Sequence, residues 1–129
     1  MQDIVGTWEL VETRGETEEG EAIHPPYGPE PLGVVTFKAS GRMAAVLVDS
    51  RDKIPADEGG REYHSYTGVY RYDGKELVTK VDGASDPARM ATDQVRQVEF
   101  DGELMTLRPP KDSYKGQARQ RILTWRKIA

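Results

Sequence analysis

Two arginines, a run of tyrosines and one histidine are the residues of this sequence with the most chemistry to offer. Tyr66, Tyr70 and Tyr72 fall on alternate positions of "YHSYTGVYRY", with His64 in the same phase. Gln94 and Arg96 alternate with Val98 and Phe100, and Arg119 and Arg121 with Leu123 and Trp125. Alternate residues of a strand share one face. Each segment would therefore carry polar tips on the same side as its large apolar bodies. Arginine binds carboxylates through two parallel bonds. Phenols stack on flat molecules or hydrogen-bond to them, and histidine titrates near neutrality. A buried arginine with no partner is costly by several kcal/mol. It needs a carboxylate, several neutral acceptors or an anionic ligand, and Glu12 and Asp82 are the nearest carboxylates in the pattern.

These residues admit two readings each. As a ligand site, Tyr66, Tyr70, Gln94, Arg96 and Arg121 would supply the polar contacts, and Leu123, Met43 and Met105 the apolar ones. Tyr70, Arg96 and His64 are the candidates for catalysis, by polarising a carbonyl and moving a proton. As plain structure, the tyrosines are core with satisfied hydroxyls, the methionines fill gaps, and Arg96 bonds to carbonyls or lies in water at a rim. No cysteine occurs, and His24 and His64 are not paired in a ligand motif, so no metal is expected. No nucleophile elbow, phosphate loop or dinucleotide fingerprint appears, and no cofactor is expected.

The elements that must hold these residues are strands. Apolar residues recur with period two, and turn signals punctuate them. Asp73-Gly74 and Asp101-Gly102 are dipeptides that favour tight hairpins, and Ser40-Gly41 is a weaker third signal. The spacing predicts hairpins of 33–38 with 42–48, 65–72 with 76–82, and 94–100 with 103–108. Strands over 6–13 and 119–127 stand at either end. The fold class is thus all-β, an antiparallel up-and-down barrel of about eight strands, the number at which such a sheet closes around side chains or one small ligand. The short turns would gather at one end. The connections 14–32, 49–64, 83–93 and 109–118 would form a loop-rich mouth at the other. Gly68 between Tyr66 and Tyr70 makes room for a ring or bends its strand.

Composition agrees. The 129 residues predict one domain over 1–129. No apolar run could span a membrane, and no signal peptide is expected at the N-terminus. A domain this small without disulfides suits the cytoplasm. A net charge of −4 argues against nucleic acid as partner. Homodimerisation through an exposed sheet face is compatible with each functional reading.

The pieces "IVGTWELV", "HPPYGPEPLGVVTFKASGRMAAVLV", "YTGVYRYDG", "DQVRQVEFDGELMTL" and "ILTWRK" occur in an order that resembles bacterial lipocalin-like domains of the calycin group. The resemblance covers most of the chain. It implies a small-molecule barrel whose Gly-x-Trp tryptophan, Trp8, plugs the closed end beneath a basic residue of the last strand, Arg126 or Lys127; Arg126 is taken as the plug's partner. The function then expected is binding of a small, largely apolar molecule, acidic or carbonyl-bearing, such as an aromatic or polyketide-like compound. The alternative is a cofactor-free isomerase, cyclase or hydrolase acting on such a molecule.

Overall fold

Alternating patterns and glycine turns leave this chain one economical way to bury its apolar half, which is to pair each strand with the next until the sheet meets itself. The computed structural model, which describes residues 3–129, shows this outcome. Its strands are β1 (Gly6–Glu16), β2 (Ala22–Ile23), β3 (Pro31–Phe37), β4 (Arg42–Asp49), β5 (Tyr63–Tyr72), β6 (Glu76–Ala84), β7 (Asp93–Asp101), β8 (Leu104–Arg108), β9 (Asp112–Tyr114) and β10 (Gln117–Lys127). The order is β2-β1-β3-β4-β5-β6-β7-β8-β10-β9, all pairs are antiparallel, and β1 also pairs with β10. Apart from the short flaps β2 and β9, the strands form a closed eight-stranded barrel.

The tight turns share one end. Gly41, Gly74 and Gly102 take positive φ there, as such turns require. Around Gly74 the loop is one residue longer than a two-residue hairpin, and the Asp73 carboxylate accepts the Lys75 and Glu76 N–H groups. The long connections lie at the other end. The second of them holds a single 3-10 turn, Ala56–Glu58, which stops at left-handed Gly59.

Register decides what faces inward. Met43, Ala45 and Leu47 are buried on β4, so the opposite set Ala44, Val46 and Val48 faces out. Trp8, Phe37, Met105 and Trp125 are fully enclosed and fill the closed half. On β1 the pairing with β10 slips between Leu10 and Glu12. This bulge reverses the alternation, so Thr13 and Gly15, rather than Glu12, continue the inner face. A second irregularity sits at Thr67 and Gly68. A Cβ on Gly68 would meet the Lys80 carbonyl on β6, so the glycine serves a close backbone approach at a bend. Outside, Leu32, Val34, Val46 and Tyr63 leave an exposed apolar patch on β3, β4 and β5. No helix among the described residues is long and apolar enough to cross a membrane.

Candidate functional site

The floor of the barrel is built first. The Trp8 indole N–H donates to the Ile4 carbonyl at 2.9 Å, and its ring meets Phe100 at 6.2 Å. Lys127 Nζ stands 6.0 Å from the ring centroid. Arg126 does not cover the ring. It points outward and binds Glu9 at 2.7 Å, because adjacent strand residues take opposite faces. Tyr70 also belongs to this end. Its hydroxyl donates to the Lys38 carbonyl at 2.7 Å, and its ring lies edge-on to Phe37. The expected pairing of Tyr70 with Arg96 is therefore not made. Met43 and Met105 are packed into the core, with 4% and 0% exposure, and offer the lumen almost no surface. A cleft of about 430 Å³ lies at this closed end between Trp8, Phe100, Asp3, Gly102, Glu103 and Lys127.

The mouth half differs in kind. His64 and Tyr66 from β5, Gln94 and Arg96 from β7, and Arg121 and Leu123 from β10 are inward-facing yet only partly buried. Leu10 across the sheet is the same. Arg96 donates to Gln94 Oε1 and to the Val95 carbonyl. Both acceptors are neutral, and Arg96 makes no ion pair among the described residues. Burial, and then the like charges of Arg121 and Arg89, hold its guanidinium below the usual range, with Tyr66 acting the other way. Arg121 is also pushed down, chiefly by burial.

The carboxylates named from the sequence are absent from this group. Glu12 is turned out by the β1 bulge and faces Arg14, and Asp82 sits outside, bound to Arg42 and Thr67. Asp112 takes their place. It receives Nε and Nη2 of Arg119 at 3.0 and 2.8 Å, and lies 3.3 Å from Nε of Arg121. The latter contact is misaligned for a hydrogen bond, and Arg121 Nε has no partner. Burial would raise the Asp112 pKa, but the Arg119 bonds and the Arg121 and Arg119 charges outweigh it. Arg119 donates from its third nitrogen, Nη1, to the His24 carbonyl at 2.8 Å, so it clamps a loop.

Tyr27 is the residue that sequence reasoning missed. The loop before β3 drives its ring into the mouth, where it is 4% exposed and joins the core. Its backbone holds φ 64, unusual for a side chain this bulky, and Gly28 follows at φ 67. The Tyr27 hydroxyl lies 2.9 Å from His64 Nδ1, and its N–H donates to Glu62 Oε1 at 2.7 Å. Burial, reinforced by Glu62, raises the phenol well above its ordinary pKa. Burial also pushes His64 down to about 4, helped by the fields of Arg89, Arg121 and Arg96 against that of Asp86. At neutral pH the pair is a neutral imidazole and a neutral phenol. The signal for Tyr27 was an aromatic between turn formers in "PPYGP", which carries no period to mark a buried ring.

Beside Tyr27 the loops are riveted together. Arg51 binds Asp49 and Glu58, each at 2.6 Å through Nη2. Arg61 donates to the carbonyls of Asp49, Arg51 and Asp52. His24 stacks on Tyr114 at 4.6 Å and lies 3.7 Å from Glu58. A 290 Å³ cleft beside the mouth is lined by His24, Asp49, Glu58, Arg61, Tyr114 and Arg119, and these polar groups are satisfied within the protein to a degree that Arg96 and Arg121 are not. No group of His, Asp and Glu among the described residues could hold a metal ion.

A closed antiparallel barrel with a tryptophan floor, a polar cluster in its open half and a loop across its mouth defines a small-molecule-binding type of barrel. The family model for the lipocalin-like domain matches residues 5–128, and the chain belongs to that family. No curated protein matches it in sequence.

Proposed function

We propose that this protein binds a small, largely apolar acid inside the barrel, of the aromatic or polyketide-like kind. The observation that carries the reading is Arg96, which lies within the barrel with neutral partners only. A carboxylate bound there would supply the missing charge through a bidentate bond. Arg121 would add a second cation, while Tyr66, Leu10 and Leu123 would cover the apolar body. The absence of cysteine supports a reducing setting such as the cytoplasm. The test is calorimetric titration with fatty and aromatic carboxylic acids against their methyl esters. Acids should bind and esters should not, and Arg96→Met should weaken the acids by at least about tenfold. Equal affinity of acid and ester would defeat the reading.

A second reading, turnover of the bound molecule without a cofactor, draws on one observation. Tyr27 and His64 form a proton-carrying pair beside the arginines. If a ligand found in this way is converted, His64→Gln should stop conversion while binding persists. Conversion that continues would remove His64 from any mechanism.

A further inference from the structure

The two tryptophans of the barrel are not equivalent. The indole N–H of Trp8 is satisfied by the Ile4 carbonyl, as befits a floor. Trp125 is 2% exposed, and its Nε1 has no hydrogen-bond partner. A buried indole N–H ordinarily finds one. In the sheet, Trp125 pairs with Leu10 on β1 and with Met105 on β8, and Leu123 lies on its own face of β10. Four residues along that same face is Arg121, whose Nε faces Asp112 at 3.3 Å but makes no hydrogen bond. Roughly 13 Å of strand separates the two residues. The stretch between them is apolar, with Leu123 half-buried.

From this we propose that the ligand has two polar ends: an acid held at Arg96 and Arg121, and a neutral oxygen acceptor that takes the Trp125 N–H. The inference rests on the acid-binding reading above and adds the second end. The deep end must be neutral. A charge buried beside a single N–H donor would stay undercompensated, whereas a ketone, ether or hydroxyl oxygen needs only the one donor. Entry of the acceptor requires Leu10 and Leu123 to shift aside, and both are packed less fully than the core beneath them. The ligand class is thus an oxygenated acid, with its second oxygen remote from the carboxylate.

The experiment uses the whole chain, decanoic acid, and oxodecanoic acids whose ketone is moved stepwise along the carbon chain. Calorimetry should find one ketone position that binds at least about tenfold more tightly than decanoic acid. Trp125→Phe should erase that gain and leave decanoic acid within about twofold, whereas Arg96→Met should weaken both. A gain that survives Trp125→Phe, or no ketone position better than the plain acid, overturns the proposal. Dependence of decanoic acid binding on Arg96 would still uphold the simpler reading in that case; no binding by any acid overturns both. The indole proton resonance of Trp125 gives an answer even if the variant misfolds. It should move downfield with the favoured keto acid while that of Trp8 stays in place.

Discussion

Replacing Arg96 by methionine separates what this side chain costs the empty protein from what it does for a ligand. Its charge is desolvated and met only by Gln94 and a carbonyl. An apolar residue of similar length should therefore stabilise the ligand-free barrel by about 1 kcal/mol or more, read as a higher Tm, while acid binding falls. A lower Tm would mean that Arg96 is a structural strut. His64 yields a pH prediction. Its folded pKa of about 4 lies below the ordinary 6.5, so between those values the unfolded chain binds more protons. Stability should be complete above pH 6.5 and decline as pH falls toward 4. His64→Gln should flatten that part of the curve in thermal melts across the range. At this scale the strand residues were legible. Tyr66, Gln94, Arg96 and Arg121 could be placed because alternation assigns a face. Tyr27 could not, since its inward course depends on left-handed backbone and on Glu62 far along the chain. Arg126 and Lys127 were separable only through the exact phase of β10 against β1.

Among the elements, the loop from His24 to Glu30 has most to do with access to the lumen. It carries Tyr27 across the mouth, and Gly28 seats it against the Asp49–Arg51 pair. A Cβ on Gly28 would stand 2.5 Å from Asp49 Oδ2 and 2.7 Å from Arg51 Nη2, at φ 67. Gly28→Ala should cost more than about 1 kcal/mol in denaturant unfolding. It should also speed ligand association in stopped-flow mixing, because the displaced loop no longer holds Tyr27 in place. Unchanged association would show that ligands enter by another route. Hairpins were readable from their turn dipeptides, which state their own backbone requirement. The β1 bulge was not. One extra residue leaves no mark in composition, yet it decided that Glu12 points to solvent and Asp112 serves the arginines.

At the scale of the molecule, the barrel divides into a solid half and a permissive half. Trp8, Phe37, Met43, Met105 and Trp125 are sealed, whereas His64, Tyr66, Gln94, Arg96, Arg121 and Leu123 of the mouth half keep accessible surface. Stability should accordingly be concentrated below. Trp8→Ala should cost roughly 3–5 kcal/mol, seen as a large fall in the denaturation midpoint. A loss below about 1 kcal/mol would show that the floor is not the keystone of the fold. Closure itself was legible, since consecutive hairpins with a strand at either end have few other arrangements that hide their edges. The flaps β2 and β9 were not, being too short to show a period.

The meeting of β1 and β10 has a practical consequence. Thr7 exchanges hydrogen bonds with Ile128 and Ala129, so the two termini of the barrel adjoin beneath its floor. Joining them through a short peptide and reopening the chain at Ser40-Gly41 would give a circular permutant with every mouth loop intact. A fluorescent protein fused at the new ends would hang from the base, and the assembly would serve as a reporter for whatever enters above.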